Sequence, residues 1–159
     1  WRKNKKKSGG GIIIMQLSHH FDIIRFVTGL EILNISCKLH YNKGMEVESA
    51  AYINFNLSNG AIGTIKASYN SIAFQEKKLE IIGSAGQAEI NNSIFFTKMP
   101  IKNLIPNTYY KVTNFPKVSL RTELVDDFSQ SIQNNVGTQV TLKDGLISQE
   151  IIESCYSNE

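Results

Sequence analysis

The string SHHFD at residues 18–22 holds the residues best suited to chemistry. On a helix, His19 and Asp22 stand three apart and meet on one surface, in a row with Met15 and Phe26. A carboxylate beside an imidazole orients the ring for proton transfer. The residues alone leave two readings open, a partly buried structural histidine and a catalytic one. His20 points about 100° away, toward Gln16 and Ile24, and reads as structural. The two rings diverge too far to chelate one ion, HExxH is absent, and His40 belongs to another element. No metal site is expected.

Upstream, Gly9, Gly10 and Gly11 follow a basic run of Arg2, Lys3, Lys5, Lys6 and Lys7. A P-loop needs a preceding strand, then glycines, then Lys and Ser/Thr. Here Lys7 and Ser8 come before the glycines, and GxGxxG is absent, so a phosphate loop is not expected. Without those five charges, 12 basic residues face 14 acidic ones. A nucleic-acid binder spreads its basic residues over a folded face. The run therefore reads as a solvated, flexible arm, and no nucleic-acid partner is expected.

The elements that must position these residues follow from periodicity. The 159 residues, 42% hydrophobic and 19% charged, suit one folded domain. No apolar run reaches the ~20 residues of a membrane span. Residues 12–28 read as a helix closed by Gly29, with an apolar stripe wide enough to be buried on more than one side. Residues 31–41 alternate, with Leu33, Ile35, Cys37, Leu39 and Tyr41 on one face. Residues 46–57 alternate again, with Val47, Ala51, Ile53, Phe55 and Leu57 inward. Ser58-Asn59-Gly60 is a hairpin turn into a strand at 61–69. Further strands are expected at 78–83, 87–90, 93–98 and 108–113, with a loop at 99–107. Leu120, Leu124, Phe128 and Ile132 mark an amphipathic helix, and Thr141 caps a last one. A helix, about seven hairpin-linked strands and two helices predict an α+β fold. One open, mostly antiparallel sheet has its apolar face covered by helices. Its other face carries Asn34, Ser36, Lys38, Glu46, Glu48, Tyr52 and Asn54. Cys37 and Cys155 read as core thiols of a reduced, cytoplasmic protein, with a disulfide left open.

SGGGIIIMQLSHHFDIIRFVTG resembles the segment that opens the C-terminal domain of the Gfo/Idh/MocA oxidoreductases, read roughly as GGGxxxDxxxHxxDxxxxxxG. Gly9, Gly10, Gly11, His19, Asp22 and Gly29 fill its positions without a gap. NGAIGTIKAS at 59–68, LEIIGSAGQAEI at 79–90, LVDDFSQSIQNN and TLKDGLISQEIIESC resemble later family blocks, in order. The resemblance implies two-domain enzymes. A Rossmann domain binds NAD or NADP. The C-terminal domain lines a pocket for a sugar, sugar nucleotide or related polyol and forms a homo-oligomer through its open sheet face. It implies His19 as the acid/base. It implies Trp1, Arg2, Gly10, Gly11, Met15 and Asp22 as substrate-binding residues, with Arg2 suited to an anionic group. Met15 departs from the family acid four residues before the histidine and removes one supporting carboxylate. The chain starts at Trp1 and lacks the Rossmann fingerprint and the family lysine. Residues 1–159 are thus expected to be a single substrate-binding and oligomerisation domain that binds no NAD(P) alone. The alternative is a non-catalytic scaffold or assembly module derived from the same family.

Overall fold

A computed structural model of the chain describes residues 1–70, 78–84, 86–90, 94–98, 108–112, 120–138 and 140–157. The expected loop at 99–107 lies outside them. The chain divides into two compact units, Trp1–Ile72 with Asn135–Glu159, and Ala73–Asn134. The fold is α+β with antiparallel strands, as the hairpin turns dictate. Among the described residues every strand pairing is antiparallel, with three strands paired in the first unit and four in the second.

In the first unit, α1 (Lys5–Ser8) is a short turn. A π-helical turn, Ile13–Leu17, runs directly into α2 (Ser18–Thr28), and Gly29 ends it with a left-handed backbone, φ 66°. Three strands follow: β1 (Ile32–His40), β2 (Ala50–Leu57) and β3 (Ile62–Ser68), in sheet order β1-β2-β3. After the second unit the chain returns as a C-terminal helix (Leu142–Ser157), which packs on β1 and against α2. Thr141 caps that helix as expected: its amide and hydroxyl both donate to the Asp144 carboxylate.

The core combines Ile12, Ile13, Leu17, Phe21 and Ile24 with Cys37, Ile53 and Phe55 of the sheet and Ile151, Ile152 and Cys155 of the last helix. Cys37 and Cys155 are both buried free thiols, and hydrogen bonding to Cys37, then burial, pushes the Cys155 thiol up. Phe26 on α2 is 79% exposed and Ile23 and Val27 are about half exposed. The first helix is therefore buried on one side, not two.

Two strand expectations change. In β1 the register shifts between Leu33 and Ser36, where Asn34 sits at φ 50°. That bulge turns Ile32 inward and leaves Leu33 exposed, while Ile35, Cys37 and Leu39 keep the expected face. β2 starts at Ala50 instead of residue 46. Residues 46–49 form a loop, and Glu48, expected on the solvent face, is 1% exposed. The remaining polar face is present. Tyr52, Asn54, Ser36 and Lys38 are exposed, with Asn54 bonded to Thr64 and Lys66 over the Tyr52 ring.

The second unit is a meander, β4 (Leu79–Gly83), β5 (Gly86–Ile90), β6 (Ile94–Lys98) and β7 (Thr108–Val112), followed by α3 (Leu120–Asn134). The C-terminal helix is accordingly α4. Glu80 and Glu89 stand directly opposite, and Lys78 bridges the two like charges. The expected apolar row Leu124, Phe128 and Ile132 of α3 is exposed, and the buried position is Ser131.

Gly63 lies opposite Phe55, whose ring occupies the space a Cβ would need. Gly63→Ala is therefore expected to lower stability by about 1–3 kcal/mol in urea unfolding. Gly137, which has open space around it, tolerates Ala within about 0.5 kcal/mol.

Candidate functional site

The start of the His19 helix is held by a carboxyl group from a distant loop. Glu48 Oε1 accepts from the amide of Gly11 at 2.9 Å, the amide of Ile13 at 3.0 Å and the hydroxyl of Tyr156 at 2.8 Å. The Ile12 amide donates to the Glu48 carbonyl at 3.2 Å. The first amides of a helix have no partner within it. Here one buried side chain and its own backbone satisfy them. The glycines are explained by the same contact. A Cβ on Gly11 would collide with the Glu48 carbonyl, and one on Gly10 with the Tyr156 hydroxyl. Only bare backbone passes between them.

The basic arm is tied to the same loop, against the expectation of a free terminus. Asn4 caps α1, and its side-chain amide and the Lys5 amide both donate to Glu46. The Glu46 amide donates to the Lys3 carbonyl. The lysine side chains point to solvent. Trp1 is 70% exposed, with the Arg2 guanidinium stacked on its ring.

The far ends of α2 and α4 are joined as well. Arg25 on α2 makes a two-pronged pair with Glu31 and reaches Asp144, in the first turn of α4, at 3.9 Å. The hydrogen bond to Arg25 holds the Glu31 carboxyl below its ordinary value. The bonds from Thr141 do the same for Asp144. Thus α2 and α4 run side by side in opposite directions, clipped by Glu48 and Tyr156 at one end and by Arg25 and Asp144 at the other.

Between the clips lies a pocket of about 270 Å³ lined by Ser18, His19 and Asp22 from α2 and by Val140, Gly145, Ser148, Gln149 and Ile152. His19 and Asp22 are brought together as the spacing predicts, but no hydrogen bond joins them. The His19 ring is exposed and has no hydrogen-bond partner among the described residues, so both its nitrogens are available. His20 differs: its Nδ1 lies 3.0 Å from the Gln16 carbonyl, which fixes the proton on that nitrogen. Met15 is half-buried and does not line the pocket. Of the expected substrate-binding residues, Asp22 is at the pocket. Gly10 and Gly11 are buried at the Glu48 clip, and Trp1 and Arg2 sit at the exposed N-terminus. A larger groove of about 670 Å³ follows β1 and α4 from Glu31 to Ile35, and it holds none of the expected site residues.

Sequence reasoning missed Glu48, Tyr156 and Arg25. The signal for Glu48 was the glycine triplet itself, since consecutive glycines imply a close neighbour.

A family model described as the GFO/IDH/MocA C-terminal domain matches residues 1–89. Solved structures share the fold over nearly all of the chain. An oxidoreductase domain protein from Kribbella flavida is 20% identical with a TM-score of 0.84, over 99% of this chain and 50% of that one. An aldose-aldose oxidoreductase from Caulobacter crescentus, solved with glycerol, is 18% identical with a TM-score of 0.82, over 99% of this chain and 48% of that one. A levoglucosan dehydrogenase, solved with NADH, is 18% identical with a TM-score of 0.79, over 100% of this chain and 52% of that one. The chain spans about half the length of these structures. No curated protein matches the sequence.

Removing Glu48 leaves two amides and a hydroxyl unpaired in the interior. Glu48→Ala is expected to cost about 3–5 kcal/mol in urea unfolding, and Glu48→Gln, which keeps an acceptor, less. Tyr156 gives a pH signature. Burial, then the bond to Glu48, pushes its hydroxyl up from 10.0. The folded state therefore favours the protonated phenol. That stability is fully present below about pH 10 and is lost as pH rises beyond it. Tyr156→Phe should flatten this alkaline loss in denaturant titrations.

Proposed function

The chain belongs to the Gfo/Idh/MocA family through its C-terminal domain, and on that premise we propose that it is the substrate-binding part of an NAD(P)-dependent oxidoreductase acting on a sugar or related polyol. The observation that carries the reading is the position of His19. It is an imidazole without a hydrogen-bond partner among the described residues, in a pocket it shares with a carboxylate, on a helix clipped at both ends. Oxidation of a carbinol requires a base for the hydroxyl proton, and a positioned histidine suits that role. In this reading Asp22 would accept a hydrogen bond from a neighbouring hydroxyl of the substrate. The structural relatives named for aldoses and levoglucosan support this substrate class.

The remaining expected residues take lesser parts in this reading. Gly10 and Gly11 act indirectly, by letting Glu48 and Tyr156 hold the helix start. Trp1 and Arg2 offer a stacked aromatic-cation surface for a more distant part of the substrate. Met15 contributes only apolar volume. The exposed face around Tyr52, Asn54 and Lys66 is the proposed surface for self-association.

The residues of this chain do not fit a dinucleotide. GxGxxG is absent, every described strand pair is antiparallel, and the one glycine triplet is closed by Glu48 and Tyr156. NAD or NADP would be held by a Rossmann domain outside these residues. Met15, in place of a family carboxylate, favours a second reading, a non-catalytic scaffold of the same fold.

Turnover separates the two readings. In the protein carrying this chain with a dinucleotide-binding domain, His19→Ala should lower kcat by about 10²-fold or more. His20→Ala should stay near wild type. Undiminished turnover in His19→Ala would exclude the acid/base role.

A further inference from the structure

The described helices contain seven serines, and six of them are satisfied by their own helix. Ser8, Ser18, Ser129, Ser131, Ser154 and Ser157 each donate to a carbonyl three or four residues back. Ser148 on α4 does not. Ser148 is half-buried, makes no hydrogen bond with the described residues and lines the His19 pocket. Its hydroxyl can both donate to and accept from a ligand in that pocket. Two further polar groups line the same pocket, the exposed His19 and the half-buried Asp22. His19 makes no described hydrogen bond, and neither does the Asp22 carboxylate. The three come from two helices whose separation is fixed by the Glu48–Tyr156 and Arg25–Asp144 clips.

We propose that Ser148 is a substrate-binding residue that reads a hydroxyl next to the one held by His19, and that the pocket takes an uncharged polyol segment. The inference rests on the reading of His19 given above. A vicinal diol presents two donors and several acceptors at close spacing. Ser148 both donates and accepts, Asp22 accepts, and each ring nitrogen of His19 does one or the other. Among the described residues the lining contains no Lys or Arg, and Asp22 is the one acidic group. Arg25 is the nearby cation on α2, and it is engaged by Glu31 and Asp144. A phosphate or carboxylate at this position would meet the like charge of Asp22, with no Lys or Arg among the described lining residues to offset it. Any anionic part of a substrate must lie away from this pocket, toward a group such as Arg2.

The test is a titration of the 159-residue chain with glycerol, D-glucose and sorbitol, following the histidine ring signals by NMR. The proposal expects at least one of these polyols to move the His19 signals saturably while His20 stays still, because its Nδ1 is committed to Gln16. Ser148→Ala should weaken that binding by about 3- to 10-fold. Ser148→Thr, which keeps the hydroxyl, should restore most of it. D-glucose 6-phosphate should bind no more tightly than D-glucose. If Ser148→Ala binds as wild type while His19 still responds, the role of Ser148 is overturned and the pocket reading stands. If glucose 6-phosphate binds more tightly, the uncharged preference is overturned. If no polyol moves His19, both this proposal and the reading beneath it fail.

Discussion

A single buried carboxyl group organises the first unit. Glu48 is 1% exposed and reaches the amides of Gly11 and Ile13 and the hydroxyl of Tyr156. It joins three segments far apart in sequence: the glycine passage, the loop before β2 and the last turn of α4. Hydrophobic burial of Phe21, Ile53 and Cys155 supplies the larger share of stability, but it is non-directional. The hydrogen bonds to Glu48 fix which backbone lies where. They also account for Gly10 and Gly11, since any side chain there would occupy the space of Tyr156 or of the Glu48 carbonyl.

The Glu48 clip has a counterpart at the opposite end of the helix pair, where Arg25 meets Glu31 and Asp144. An antiparallel pair tied at one end could splay. Tied at both, it keeps a constant gap. The polar groups in that gap, His19, Asp22 and Ser148, line one pocket without hydrogen-bonding to each other, which is the arrangement the proposed ligand-binding role requires.

Much of this was legible in the sequence, and the exceptions have physical causes. The β2–β3 hairpin follows from Ser58-Asn59-Gly60, and the start of α4 from Thr141 and Asp144, because both signals are local. His19 and Asp22 share a face because α2 is regular there. Met15 lies in a π turn, a feature that leaves no mark on hydrophobic spacing. Glu48 was assigned to the solvent face because alternation was extended four residues beyond the true start of β2. Its real role depends on partners 35 to 108 residues away. The bulge at Asn34 and the attachment of the basic arm through Glu46 were hidden for the same reason. The exposed row on α3 shows the converse, that a helical period predicts a helix more safely than it predicts burial.

The most direct test of the account is amide hydrogen exchange at Gly11 and Ile13, measured residue by residue in the wild type and in Glu48→Gln. The account predicts that both amides are protected in the wild type, and that the substitution weakens protection at these two sites well before it affects β2. Fast exchange at Gly11 and Ile13 in the wild type, or protection unchanged by the substitution, would contradict the claim that Glu48 holds the helix that carries His19.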